Sequence, residues 1–142
     1  MNRRSFIRIG MVGATTGIIA PEIVLATPGG QSISSSNMAG GVYYTKDSPG
    51  RWAKKAGAHS PVIEKTDGGV HVVTGHPMNQ GEHWIVKHVL LDSDFNFITE
   101  NIFDPEKDKA PISDFTLSGQ TGAVYALSVC NLHDSWLTML EL

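Results

Sequence analysis

Apolar residues fall in short β-rich runs through the last hundred residues, separated by turn-forming residues. The runs are 41–45 (GVYYT), 61–66 (PVIEKT), 70–75 (VHVVTG), 83–92 (HWIVKHVLLD), 95–99 (FNFIT), 113–118 (SDFTLS), 123–130 (AVYALSVC) and 136–142 (WLTMLEL). Val, Ile, Tyr, Phe and Thr dominate them, as a pleated, half-buried surface favours. Between the second and third, Asp67-Gly68-Gly69 is a hairpin signal. No stretch here sustains a helical apolar period for three turns; WAKKAGAH (52–59) predicts a single helical turn. Short strands spaced by turns predict an all-β sandwich of about seven strands. Trp84, Phe115, Tyr125 and Trp136 lie in strand patterns and are expected in the core, whereas Trp52 is expected to shield a loop or cap the sandwich.

The first forty residues read differently. MNRRSFIRIG places Arg3 and Arg4 before a short Gly- and Ala-rich apolar stretch, and VLATP offers a small-residue cleavage site after Ala26. The stretch falls below the roughly 20 apolar residues that span a bilayer. Residues 1–26 are therefore expected to be a helical twin-arginine signal peptide, and the protein to be exported to the periplasm. Residues 27–41 are Gly- and Ser-rich and are expected to be a flexible linker, leaving 42–142 as one domain. Cleavage would remove three arginines and Glu22, a net +2, taking the formal charge from −3 to −5. No basic tract for nucleic acid and no amphipathic basic helix for a membrane surface is present, so neither partner is expected beyond the signal itself.

The chemistry-bearing residues are a lone cysteine and six histidines. Cys130 has no partner for an internal disulfide, and in an oxidising compartment a spare thiol is a liability unless buried or metal-bound. His59, His76, His83 and His133 fall in loops or at strand ends, where a rigid sandwich can bring them together. His71 lies between Val70 and Val72 and must face away from them; His88 lies in mid-strand, and both are read as ordinary strand residues. Four loop imidazoles and a thiolate suit a transition metal, and five ligands would leave one octahedral position open.

AHSPVIE (58–64), GHPMNQGEHWI (75–85) and CNLHDSW (130–136), in this order and separation, resemble the iron site of the superoxide reductases, the desulfoferrodoxin and neelaredoxin family. The resemblance covers roughly residues 42–138 and implies an immunoglobulin-like β-sandwich. It implies one mononuclear iron (Fe2+/Fe3+) per chain, with His59, His76, His83 and His133 around a plane and Cys130 as the axial thiolate. The open position framed by those histidines would be where superoxide is reduced to hydrogen peroxide, with electrons from a separate one-electron donor protein. The axial thiolate would push electron density toward that position. A homo-oligomer is compatible with this scheme. The four-cysteine module that binds a second iron in some members has no counterpart.

Three departures from the family pattern stand out. Gly57 and Ala58 occupy the places where Glu-Lys usually precedes the first histidine; that lysine assists anion attraction and protonation, and Lys54 and Lys55 lie only upstream. The interval from His76 to His83 is seven residues, one longer than the family pattern, with Gly81 available to absorb the extra residue as a bulge. Asp134 stands where a glycine is common. Glu82 and Lys87 flank the site in sequence, with a carboxylate behind a histidine ligand being one role for Glu82.

Other readings remain open at this level. Cys130, His133 and Met139 echo the ligand loop of blue copper proteins, which would make the chain an electron carrier. A family-type iron centre could serve as a redox sensor or carrier without efficient superoxide turnover. A sandwich that binds a partner or carries sulfur compounds, with Cys130 simply buried, is a third possibility.

Overall fold

A computed structural model describes residues 32–142; residues 1–31, with the expected signal peptide and the first part of the linker, lie outside the described residues. Seven strands form two antiparallel sheets: β1 (Val62–Thr66), β2 (Gly69–Val73), β3 (Ile85–Leu91), β4 (Phe97–Ile102), β5 (Ile112–Thr116), β6 (Ala123–Cys130) and β7 (Ser135–Glu141). One sheet has the order β1-β2-β5 and the other β4-β3-β6-β7. Ile63, Val70, Val72 and Phe115 from the first sheet pack on Leu90, Val124 and Ala126 from the second to form the main core. This is the sandwich that the strand pattern predicts.

The alternation fixes which side chains face inward. In β2, Val70 and Val72 are buried while His71 lies on the outer face, where its Nδ1 meets Asp114 Oδ1 at 2.6 Å. Gly69 is required by close approach. A Cβ there would sit 2.0 Å from the Phe115 carbonyl oxygen, so even alanine would force the two strands apart.

Three expectations shift. Residues 41–45 form no strand; Tyr44 makes a single parallel bridge to Trp136, donating its N–H to Ser135 and accepting from Leu137. The run at 95–99 begins later, at Phe97, because Phe95 takes a left-handed conformation (φ 63°) in the turn after Asp92. Trp84 is half-buried, whereas Phe115, Tyr125 and Trp136 are in the core. Within the segment read as a linker, residues from Ser32 onward are tied to the domain. The Tyr43 hydroxyl donates to the Ile33 carbonyl and the Ser48 hydroxyl to the Ser34 carbonyl.

His88 is more than an ordinary strand residue. It is completely buried between the sheets, in edge contact with Phe103. Thr74 donates its hydroxyl proton to Ser128, so it must accept from His88 Nε2–H (2.8 Å); Nδ1 is then bare and accepts from Ser113 (2.9 Å). Every member is satisfied only while the ring is neutral, and burial lowers its pKa to about 4. The unfolded chain takes up this proton near pH 6.5, the folded chain only near 4. The stabilisation is therefore complete above 6.5 and lost as pH falls through that window. About 2 kcal/mol of stability should disappear from this group alone by about pH 5. Urea unfolding of the apoprotein at both pH values should show a markedly smaller acid loss in His88→Gln.

Candidate metal centre

All five candidate ligands come to one end of the sandwich. His59 ends a short helical segment, Ala56–His59, that runs into β1; His76 follows the end of β2; His83 precedes β3; Cys130 ends β6; and His133 lies in the turn to β7. Antiparallel register brings them together within each sheet, because the start of β1 pairs with the end of β2 (Val62 with Val73) and the start of β3 with the end of β6 (Ile85 with Cys130).

The ligand atoms of His59, His83, Cys130 and His133 all lie within 4.8 Å of one another. His76 joins them through Nε2, 2.9 Å from His83 Nε2. His133 presents Nδ1, which lies 3.0 Å from His59 Nε2, 2.9 Å from His83 Nε2 and 3.7 Å from Cys130 Sγ. His59 and His76 are buried, and Cys130 is 5% exposed.

Backbone carbonyls fix the tautomers. His59 Nδ1 donates to the Lys55 carbonyl (2.9 Å) and His76 Nδ1 to the Pro77 carbonyl (2.5 Å). Each ring therefore turns an unprotonated Nε2 into the cluster, the arrangement in which an imidazole ligates a metal. Three nitrogen–nitrogen contacts at 2.9–3.0 Å then connect four rings. Protons on His83 Nε2 and His133 Nδ1 can serve His76 and His59, but would then oppose each other across the third contact. A central cation removes this conflict. The basicities agree: desolvation, ahead of repulsion from neighbouring imidazoles, holds His59 down at about 4, and desolvation is also the main cause of the lowered values of His76, His83 and His133. Neutral imidazoles and one buried sulfur form a donor set that fits iron.

Two supports were not legible in the sequence. Asn131 stitches the Cys130 turn to the His83 loop: its Oδ1 accepts from Trp84 N–H (3.0 Å) and its Nδ2 donates to the Glu82 carbonyl (2.9 Å). The Leu132 amide points at Cys130 Sγ, 3.5 Å away, where it would stabilise a thiolate. The extra residue between His76 and His83 is taken up in a tight turn closed by the Asn79–His83 bridge, with Gly81 at φ 71°, rather than in a strand bulge. Glu82 is exposed and contributes its carbonyl, while Lys87 pairs with Glu100 (2.8 Å), so neither side chain backs a ligand. Trp52 shields the metal loop, standing edge-on to His133 with ring centroids 4.7 Å apart. Met139 sits in β7 opposite Tyr125, whereas Ser135 is the residue paired beside the Cys130 turn. Four residues of strand separate Met139 from that end, so the copper-type ligand loop is not formed.

The desulfoferrodoxin family model matches residues 51–139, well over half of the chain. The chain belongs to the desulfoferrodoxin family. A superoxide reductase (neelaredoxin) from Ignicoccus hospitalis is 29% identical, with a TM-score of 0.59 over 71% of this chain and 94% of that one. A variant of the same protein reaches 30% identity and a TM-score of 0.64, covering 71% and 93% of the two chains. A superoxide reductase from Giardia intestinalis, at 21% identity and a TM-score of 0.53 over 60% and 98%, shares the fold. A comparison with curated proteins gives no match. Membership in the desulfoferrodoxin family agrees with the immunoglobulin-like sandwich and with a His/Cys cluster suited to iron, and its relatives make an oxidoreductase the natural class for this chain.

Proposed function

We propose that this chain is a single-iron superoxide reductase, exported by the twin-arginine route, with His59, His76, His83, His133 and Cys130 as the metal ligands. The observation that carries this reading is the convergence of four neutral imidazoles on one buried thiol within a desulfoferrodoxin-family sandwich. Iron bound there would pass one electron to superoxide, which with two protons leaves as hydrogen peroxide, the electron being restored by a separate donor protein.

The chain's own residues supply the rest. Lys55 and Pro77 carbonyls hold His59 and His76 with Nε2 inward. Neutral imidazoles leave the centre cationic and so attractive to an anion. Cys130 is held by the end of β6 and faced by the Leu132 amide, which would donate to its sulfur when it binds a metal. His83 and His133 are half-buried, so that side of the cluster is partly open to solvent. Dioxygen is not a product, because each turnover consumes an external electron and oxidises no second superoxide.

The test is purification of the mature protein without chelators, iron determination, and reaction of the ferrous form with superoxide by pulse radiolysis. One iron per chain and a rapid second-order transient are expected. Less than about half occupancy of this strongly ligating set, with no transient, would sink the enzyme reading. Iron with a thiolate absorption band but no transient would favour the sensor or carrier role instead.

A further inference from the structure

The two sheets contribute different ligands to the candidate metal centre. His59 and His76 adjoin β1 and β2 of the three-stranded sheet, whereas His83, Cys130 and His133 adjoin β3, β6 and β7 of the four-stranded sheet. Register within each sheet does not set the distance between these two sets. That distance depends on what spans the gap between the sheets.

Two strands from opposite sheets show what lies there. The inward residues along β2 and its continuation are Val70, Val72, Thr74 and His76; along β6 they are Val124, Ala126, Ser128 and Cys130. Each strand runs from the apolar core, through one hydroxyl, to a candidate ligand. A polar layer therefore separates the core from the metal end.

That layer is a directed chain of hydrogen bonds. Asn101 Nδ2 donates to Ser113 Oγ (3.1 Å), Ser113 to His88 Nδ1 (2.9 Å), His88 Nε2–H to Thr74 Oγ1 (2.8 Å), and Thr74 to Ser128 Oγ (2.9 Å). In the four-stranded sheet, His88 stands opposite both Asn101 and Ser128. Ser113 in β5 and Thr74 just beyond β2 belong to the other sheet. All four bonds therefore cross the gap, and His88 is their pivot: one rigid ring holds Ser113 by one nitrogen and Thr74 by the other. Thr74, His88, Ser113 and Ser128 are buried, and none of their side-chain polar atoms lacks a partner.

Apolar contacts are non-directional and tolerate sliding. Hydrogen bonds require about 2.7–3.2 Å and near-linear geometry, and a fully satisfied buried network rigidifies what it joins. The path from this chain to the ligands is short. The His76 amide donates to the Thr74 carbonyl (2.8 Å), and Cys130 follows Ser128 on the same face of β6.

We propose that His88 is a positioning residue: its ring, bonded through Thr74 to Ser128, sets the spacing of the two sheets at the metal end and so holds His76 and Cys130 in place for a shared metal. This rests on the iron-centre reading above. The hydrogen bonds of His88 end on Thr74 and Ser113, so its effect on a metal passes through the strand ends.

The test follows iron release to a chelator from the iron-loaded mature protein. Thr74→Val keeps the shape of the side chain and cuts the link between His88 and Ser128; His88→Leu removes both ring nitrogens. Each should release iron about ten-fold faster, as when a group that orients a metal ligand is lost, and should shift the thiolate-to-iron band. The double variant should add nothing further, as expected of residues acting through one contact. Thr74→Ser restores the hydroxyl and should release iron at close to the wild-type rate. Val70→Ala, in the same strand, weakens the core without touching the chain, and its iron release should match wild type. Iron release from Thr74→Val no faster than from Val70→Ala overturns the positioning role. If Thr74→Val and His88→Leu do not fold, Ser113→Ala cuts the chain on the other side of His88 and carries the same expectation and the same overturning result. Nitrogen-15 NMR of the apoprotein near neutral pH gives a reading independent of metal. The His88 proton is expected on Nε2, and a proton on Nδ1 instead overturns the chain and the proposal with it. These results leave a wild type that binds iron, whereas a wild-type chain that takes up no iron overturns the iron-centre reading and this proposal together.

Discussion

Cys130→Ser is expected to remove the visible thiolate-to-iron absorption completely while leaving the sandwich folded. Serine is close to isosteric, and the Leu132 amide that faces the sulfur can face a hydroxyl. The apoprotein should lose only about 1–2 kcal/mol, the scale of a hydroxyl placed at a buried site with one partner. The chemical change is far larger. A thiol in contact with a metal deprotonates and becomes an anionic, polarisable donor, whereas an alcohol remains a weak neutral one. Superoxide turnover should therefore fall by at least about a hundred-fold, the range seen when a group that stabilises charge at a reacting centre is removed. Absorption spectroscopy of the oxidised protein, iron per chain and a thermal melt separate the effects. An unchanged spectrum would show that Cys130 is not a ligand, and a collapsed melt would show that its role is structural.

The fold was largely legible because each strand carries a local record of its environment. Val70 and Val72 against His71 fix one face of β2 without knowledge of the rest. The central strand β3 carries no such record: Val86 and Lys87 are half-buried while His88, Val89 and Leu90 are buried in succession. Nothing local distinguishes His88 from a surface histidine. Its surroundings come from Thr74, Ser113 and Ser128 on three other strands or strand ends, which only the sheet pairing assembles. The candidate ligands were legible for a similar reason, since loop position in a sandwich implies convergence at an end. What escaped was everything supplied by backbone. The Lys55 and Pro77 carbonyls orient two histidines through atoms that every residue possesses, so no side-chain pattern marks them. Asp134 was visible as an odd residue, but its left-handed turn and its grip on Arg51 and Trp52, more than eighty positions earlier, needed the closed fold.

Trp136 should be the core position whose loss costs most, because it joins the core to the metal end. It is fully buried at the start of β7, packs on Tyr44 (centroids 5.5 Å apart) and on His59 (5.9 Å), and donates its indole N–H to the His133 carbonyl (2.8 Å). Its backbone is also bracketed by Tyr44, which bridges to it from outside the sheets. Trp136→Ala is expected to destabilise the apoprotein by about 3–5 kcal/mol, the range for emptying a buried aromatic site. Total stabilities of single domains are about 5–15 kcal/mol, so this variant will be at or near unfolding at room temperature. Trp136→Phe separates packing from hydrogen bonding. It retains most of the apolar contact but leaves the His133 carbonyl without its donor, which should cost about 1–3 kcal/mol. If the bond serves only stability, iron affinity in Trp136→Phe will match wild type once the protein is folded. If it holds the Cys130–His133 turn in ligating geometry, iron will dissociate about ten-fold faster to a chelator, as when a group that orients a metal ligand is lost. The second result is expected, because the same turn carries two of the five candidate ligands and the indole reaches it from the rigid side.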